Sequence, residues 1–76
     1  MMNTYRVTYY NSGGYKSRIE LKTDYTIARN AEGEFILYAD QTSVGDRADL
    51  ENLVLAALGF HEDITIVRCE LLNETE

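Results

Sequence analysis

Between residues 4 and 10 the side chains alternate. Tyr5, Val7 and Tyr9 fall on one side, and Arg6, Thr8 and Tyr10 on the other. A period of two is that of a half-buried β-strand. Asn11-Ser12-Gly13-Gly14 follows, and its glycines suit a hairpin loop. The alternation then resumes from residue 15 to 22. Tyr15, Ser17, Ile19 and Leu21 share one face, and Lys16, Arg18, Glu20 and Lys22 the other. These two segments predict an antiparallel hairpin.

Residues 25–29 admit two readings. Thr26 and Ile27 favour a strand, and Asn30-Ala31-Glu32-Gly33 would be a second hairpin loop. The rival is a short helix capped by Thr23 or Asp24 and stopped at Gly33. Residues 34–40 read as a strand with apolar side chains on both faces, and residues 41–45 as a loop. Residues 47–58 carry the spacing of a helix. Leu50, Leu53, Val54, Ala57 and Leu58 form one apolar stripe, Asp46 is placed to cap the start, and Gly59 to end it. Phe60 is placed to pack back beneath the helix. Residues 64–72 predict a last strand, with Val67, Cys69 and Leu71 on one face and Ile64 and Ile66 on the other.

The expected fold is therefore α+β: a small, mainly antiparallel sheet of four to five strands with one helix on one face. The helix, about 18 Å long at 1.5 Å per residue, can cover one side of such a sheet. Nothing obvious covers the second side. It is expected to hold Ile36, Tyr38, Ile64 and Ile66, with Tyr10, and an exposed apolar patch of that kind meets a partner or a second copy of the chain.

Length narrows the possibilities. The 76 residues suffice for one domain, spanning 1–76, whose core is thin. The apolar content of 45% argues against intrinsic disorder. Cys69 is the only cysteine, so no disulfide forms within the chain, which suits a reducing compartment. Residues 1–6 lack the apolar run of a signal peptide, and the longest apolar stretch is far shorter than a membrane span. A cytoplasmic location is expected. Asn73-Glu74-Thr75 matches a glycosylation triplet, which has no meaning in that compartment.

The net charge of -6 is unevenly spread. Up to Tyr38 there are five bases against four acids; from Ala39 onward there are two bases against nine acids. An acidic half repels nucleic acid and attracts basic surfaces. Its carboxylates Asp46, Asp49, Glu51, Glu62 and Asp63 bracket the helix and form the candidate partner-binding set. The plain alternative is a solvated face that maintains solubility. The outward face of the first hairpin is the second candidate. Arg6, Tyr10, Lys16 and Arg18 combine cations with an aromatic ring, as strand platforms for nucleic acid do.

Catalytic chemistry finds little support. His61 has no serine or second histidine at a recognisable spacing, and a loop residue after a helix explains it. Cys69 and His61 stand roughly 25 Å apart if the segment between them is extended. Asp46, Asp49 and Glu51 lack the spacing of a calcium loop, and helix capping accounts for them. Gly13-Gly14 precedes a strand and not a helix, so it is no phosphate loop. No enzyme activity, cofactor or metal is expected.

In size, acidity, absence of catalytic motifs and sheet-plus-helix order, the chain resembles small phage-encoded inhibitors of the anti-CRISPR type. The resemblance spans the whole chain and carries no shared motif. It implies stoichiometric binding to a larger, basic, nucleic-acid-handling complex in the host cytoplasm. The alternatives are a nucleic-acid-binding module using the basic hairpin, and a small homo-oligomeric accessory protein using the uncovered sheet face.

Overall fold

Two loops of this protein share one hydrogen-bond pattern. In the computed structural model, which describes residues 2–59 and 62–72, Asn11 joins β1 (Asn3–Tyr10) to β2 (Lys16–Thr23). Its backbone carbonyl accepts from Gly14, its side-chain oxygen accepts from the N–H groups of Gly13 and Tyr15, and Gly14 takes a left-handed φ of 83°. Asn30 repeats this between β3 (Thr26–Arg29) and β4 (Phe35–Ala39), accepting from Glu32 and Glu34, with Gly33 at φ 81°. Each is a three-residue hairpin loop in which glycine supplies the left-handed position. The shared Asn-x-x-Gly spacing settles residues 26–29 as a strand. The helical alternative fails because Asn30 and Gly33 build a hairpin.

A third hairpin replaces the loop expected at residues 41–45. Asp40 and Gln41 both adopt positive φ, 53° and 69°, and return the chain into β5 (Thr42–Gly45), which pairs with β4. A two-residue turn with both φ positive matches the twist of the strands it joins. The strand is short and polar, and its turn carries no glycine, so neither usual signal was present.

Helix α1 (Arg47–Leu58) follows directly, capped by Asp46 and closed by Gly59 at φ 81°. The last strand, β6 (Thr65–Leu71), pairs antiparallel with the free edge of β1. The strands divide into two three-stranded sheets, β2-β1-β6 and β3-β4-β5, in place of one sheet of four to five. The class is α+β, as expected. The split occurs because side chains, not a backbone ladder, bridge the first two hairpins. The Tyr5 hydroxyl accepts from the Ile27 N–H at 3.0 Å, and the Asn3 amide donates to the Tyr25 carbonyl at 3.1 Å.

One core joins both sheets and the helix. Tyr5, Val7, Tyr9 and Leu21 come from the first sheet, Phe35 and Leu37 from the second, and Leu50 and Val54 from the helix. Leu53, Leu55 and Leu58 pack at its margin, whereas Ala57 of the expected stripe is exposed. Ile64 and Ile66 also belong to the core, at 8% and 5% exposure. They were expected on an uncovered face. A bulge explains the error: Thr8 pairs with Arg68 but Tyr9 pairs with Ile66, so Val67 is extra and exposed. The extra residue reverses the alternation, and Ile66 and Cys69 both contact the core. The uncovered apolar face built on Ile64 and Ile66 therefore does not exist. Phe60 and Asn73 lie outside the described residues.

Candidate functional site

The register of β2-β1-β6 arranges its outer face in rows. Tyr10 lies opposite Lys16 and Thr65, Thr8 opposite Arg18 and Arg68, and Arg6 opposite Glu20 and Glu70. Inward neighbours along the same strands fill the core, so the rows point away from it. A concavity of about 440 Å³ opens over the middle, lined by Arg6, Thr8, Lys16, Arg18, Arg68 and Glu70, among others. A smaller one of about 180 Å³ adjoins it and shares Arg6 and Arg18. Thr8, 7% exposed, lies between the two arginines of its row. Arg68 pairs with Glu70 at 2.8 Å. Among the described residues, Arg6, Lys16 and Arg18 form no ion pair.

This face brings together all four residues expected of a basic hairpin surface: Arg6, Tyr10, Lys16 and Arg18. Thr8 and Lys22, expected on the same face, lie there too, and the structure adds Arg68 as a fifth cation. The sequence assigned Arg68 to the acidic half. Its place on this face depends on β6 returning to the edge of β1, a pairing across some sixty residues that local pattern does not report.

The acidic candidates are divided. Asp46, Asp49 and Glu51 stand at the start of α1, and Glu62 and Asp63 beyond its end, roughly 18 Å away along the axis. Most have a partner within the chain. The Asp46 side chain accepts from the Ala48 N–H at 3.0 Å, and the Asp49 side chain accepts from the Asp46 N–H at 3.0 Å. The two form a reciprocal capping box. Glu51 pairs with Arg47 at 3.5 Å, and Glu62 accepts from the Ser12 hydroxyl. These bonds consume lone pairs but leave the charge, and Asp46, Asp49 and Asp63 remain exposed.

A third surface was only partly foreseen. On the outer face of β3-β4-β5, Tyr38 lies between Thr26 and Ser43, and Ile36 lies opposite Ala28. Ile36 and Tyr38 are half-buried and stand outside the core cluster, and Val44 is exposed. This face carries no charge in its rows. Asp24 and Asp40 flank its strand ends on one side, and Glu32, Glu34 and Asp46 on the other, where Arg29 and Arg47 stand beside them.

Charge is thus sorted by face more sharply than by halves of the sequence. The outer face of the first sheet has Arg6, Lys16, Arg18, Lys22 and Arg68 against Glu20 and Glu70, a net of three positive charges. The rest of the chain has Arg29 and Arg47 against eleven acids, a net of nine negative charges.

Cys69 is a poor nucleophile. Burial, with a smaller contribution from the neighbouring Glu70 charge, raises its pKa from 9.0 to about 11. His61 lies outside the described residues. Among the described residues no group of three or more His, Cys, Asp or Glu is placed to hold a metal ion. No described helix is long and apolar enough to cross a membrane. No protein-family model, no curated protein and no solved structure matches the chain.

Proposed function

We propose that this chain is a stoichiometric protein-binding module that engages a basic surface on a larger partner. The resemblance to phage-encoded inhibitors suggests the kind of partner: a nucleic-acid-handling complex in the host cytoplasm. One observation carries the reading. The uncharged outer face of β3-β4-β5, centred on Tyr38 and Ile36, has Asp24 and Asp40 at one end of its strands, and at the other Glu32, Glu34 and Asp46 outnumber Arg29 and Arg47. Protein interfaces have this anatomy, with an apolar, often aromatic centre and a charged rim. The nine net negative charges outside the basic face extend the acidic field beyond that rim.

The two parts have different roles. The acidic rim steers encounter and selects basic partners, while each rim pair adds only about 0–1 kcal/mol. Tyr38 would anchor the contact, because a buried aromatic carries more of the binding energy than its neighbours. Asp46 belongs to this rim as well as to the helix cap. Asp49, Glu51, Glu62 and Asp63 contribute field from further away.

The test begins with capture of partners by the tagged chain from a bacterial lysate. The binding kinetics of each captured protein are then measured. An Asp24→Asn/Glu34→Gln/Asp40→Asn variant should associate more slowly at low salt, with a flatter salt dependence. Tyr38→Ala should instead accelerate dissociation, roughly tenfold or more. Partners indifferent to both variants would refute the reading.

A further inference from the structure

We infer that the concave basic face of β2-β1-β6 binds the phosphodiester backbone of a single-stranded nucleic acid. This inference does not rest on the protein-binding reading, which concerns the other sheet. Its first ground is convergence. Arg6 and Thr8 from β1, Lys16 and Arg18 from β2, and Arg68 from β6 line one concavity of about 440 Å³. One hairpin and a strand some sixty residues further along the chain supply its cations.

The second ground is lack of internal compensation. Arg68 is paired with Glu70, but Arg6, Lys16 and Arg18 form no ion pair among the described residues. Glu20 stands opposite Arg6 in register without closing a salt bridge to it. A chain with thirteen acids has ample means to neutralise these bases, yet it leaves three of them together around a hollow. An anionic ligand supplies the missing charge.

The third ground selects the ligand. Arg18 and Arg68 stand on either side of Thr8 in register and line the hollow with Arg6 and Lys16, and guanidinium groups gathered in this way suit phosphate oxygens. The smaller hollow, lined by Arg6, Arg18, Ile19 and Glu20, extends the surface with the same two arginines against one acid. The site is thus longer than one phosphate. Tyr10, 40% exposed, lies beside Lys16 on the same face, where its ring is free to stack on a base. Cations that track a backbone beside an aromatic platform define a single-strand site. The ring would have no stacking partner in a duplex, whose bases are already stacked. The acidic remainder of the chain confines the strand to this face by repulsion.

The test measures fluorescence anisotropy of a labelled fifteen-nucleotide thymidine strand with the whole chain. Binding should weaken about 15- to 50-fold between 50 and 200 mM salt, as expected of three to four phosphate contacts. Arg18→Ala/Arg68→Ala should lower affinity at least tenfold and flatten the salt dependence, with an unchanged circular-dichroism spectrum. Arg18→Lys/Arg68→Lys should recover most of the loss, because charge is retained. Tyr10→Ala should cost at least fivefold. Arg47→Ala, on the helix, should bind as the wild type does. Absence of binding at 50 mM salt would overturn the inference, as would full binding by the double alanine variant. Equal affinity for a duplex, or a Tyr10→Ala variant indistinguishable from wild type, would overturn the assignment to single strands.

Discussion

The hydroxyl of Tyr5 accepts the backbone N–H of Ile27 at 3.0 Å, and through this contact one sheet holds the other. The ring of Tyr5 is buried in the core. Ile27 lies in the short strand β3, whose other side pairs with β4. Tyr5→Phe keeps the ring and removes only the acceptor. An amide left without a partner costs about 1–3 kcal/mol. Urea melts should show a loss in that range. Amide exchange at Ile27 should accelerate more than exchange at Val7, which lies in the β1 ladder. Equal acceleration at both positions would mean that the bond does not act as a local tie.

Gly45 and Asp49 are linked by space. A Cβ built on Gly45 would lie 2.8 Å from the Asp49 carboxylate. That carboxylate accepts the Asp46 N–H and completes the helix cap. Gly45→Ala should therefore push Asp49 out of its bond and cost about 0.5–2 kcal/mol, the usual loss for a broken cap. Asp49→Ala should cost a similar amount. The double variant should lose clearly less than the sum, because each change removes the same bond. Additive losses in a double-mutant cycle would exclude this coupling.

Within the helix, burial ranks the apolar residues. Leu50 is fully buried, whereas Leu53 packs at the margin of the core and Ala57 is exposed. Leu50→Ala should cost about 2–5 kcal/mol. Leu53→Ala should cost less, and Ala57→Ser under about 0.5 kcal/mol. Because domain stability is about 5–15 kcal/mol, Leu50→Ala could unfold the chain outright. Thermal and urea melts of the three variants give the order. A Leu53→Ala variant less stable than Leu50→Ala would contradict the packing.

The helix was legible because its signals are local. Asp46, the apolar stripe and Gly59 lie within fourteen residues, and the bounds read from sequence match the structure. The first hairpin was legible for the same reason. What escaped depended on pairing at a distance or on a single extra residue. The division into two sheets rests on Tyr5 and Asn3, whose hydrogen bonds reach 22 residues along the chain. The position of Ile66 depends on the bulge at Val67, which puts Ile66 and Cys69 on the same side of the sheet where strict alternation would separate them. β5 escaped because Asp40-Gln41 makes a tight turn without glycine. The candidate site divides the same way. Its hairpin half was visible as alternating Lys and Arg, and its Arg68 wall was not. Asp46 and Asp49 were correctly read as capping residues, which is also why they are weak evidence of a partner.

Cys69 combines a local chemistry with a testable pH dependence. Its side chain packs against the core, and its pKa stands at about 11, raised from 9.0 by burial and then by the charge of Glu70. The thiolate is the nucleophile, so reactivity follows the thiolate fraction. Between pH 7 and pH 8 that fraction is about a hundredfold smaller than for a thiol of pKa 9.0, since each unit is tenfold. Alkylation by iodoacetamide should be slower by a similar factor in the folded chain than in urea. The same shift sets a stability trend. The folded state holds this proton more tightly than the unfolded state does. The contribution is therefore complete below pH 9 and is lost as pH rises toward 11. Wild type should lose stability across that window, and Cys69→Ser, which has no thiol to ionise, should lose less. Glu70→Gln should speed alkylation modestly, because burial is the larger cause and remains. Folded Cys69 that is alkylated as fast as the unfolded thiol at pH 8 would show that neither burial nor the neighbouring charge restrains it.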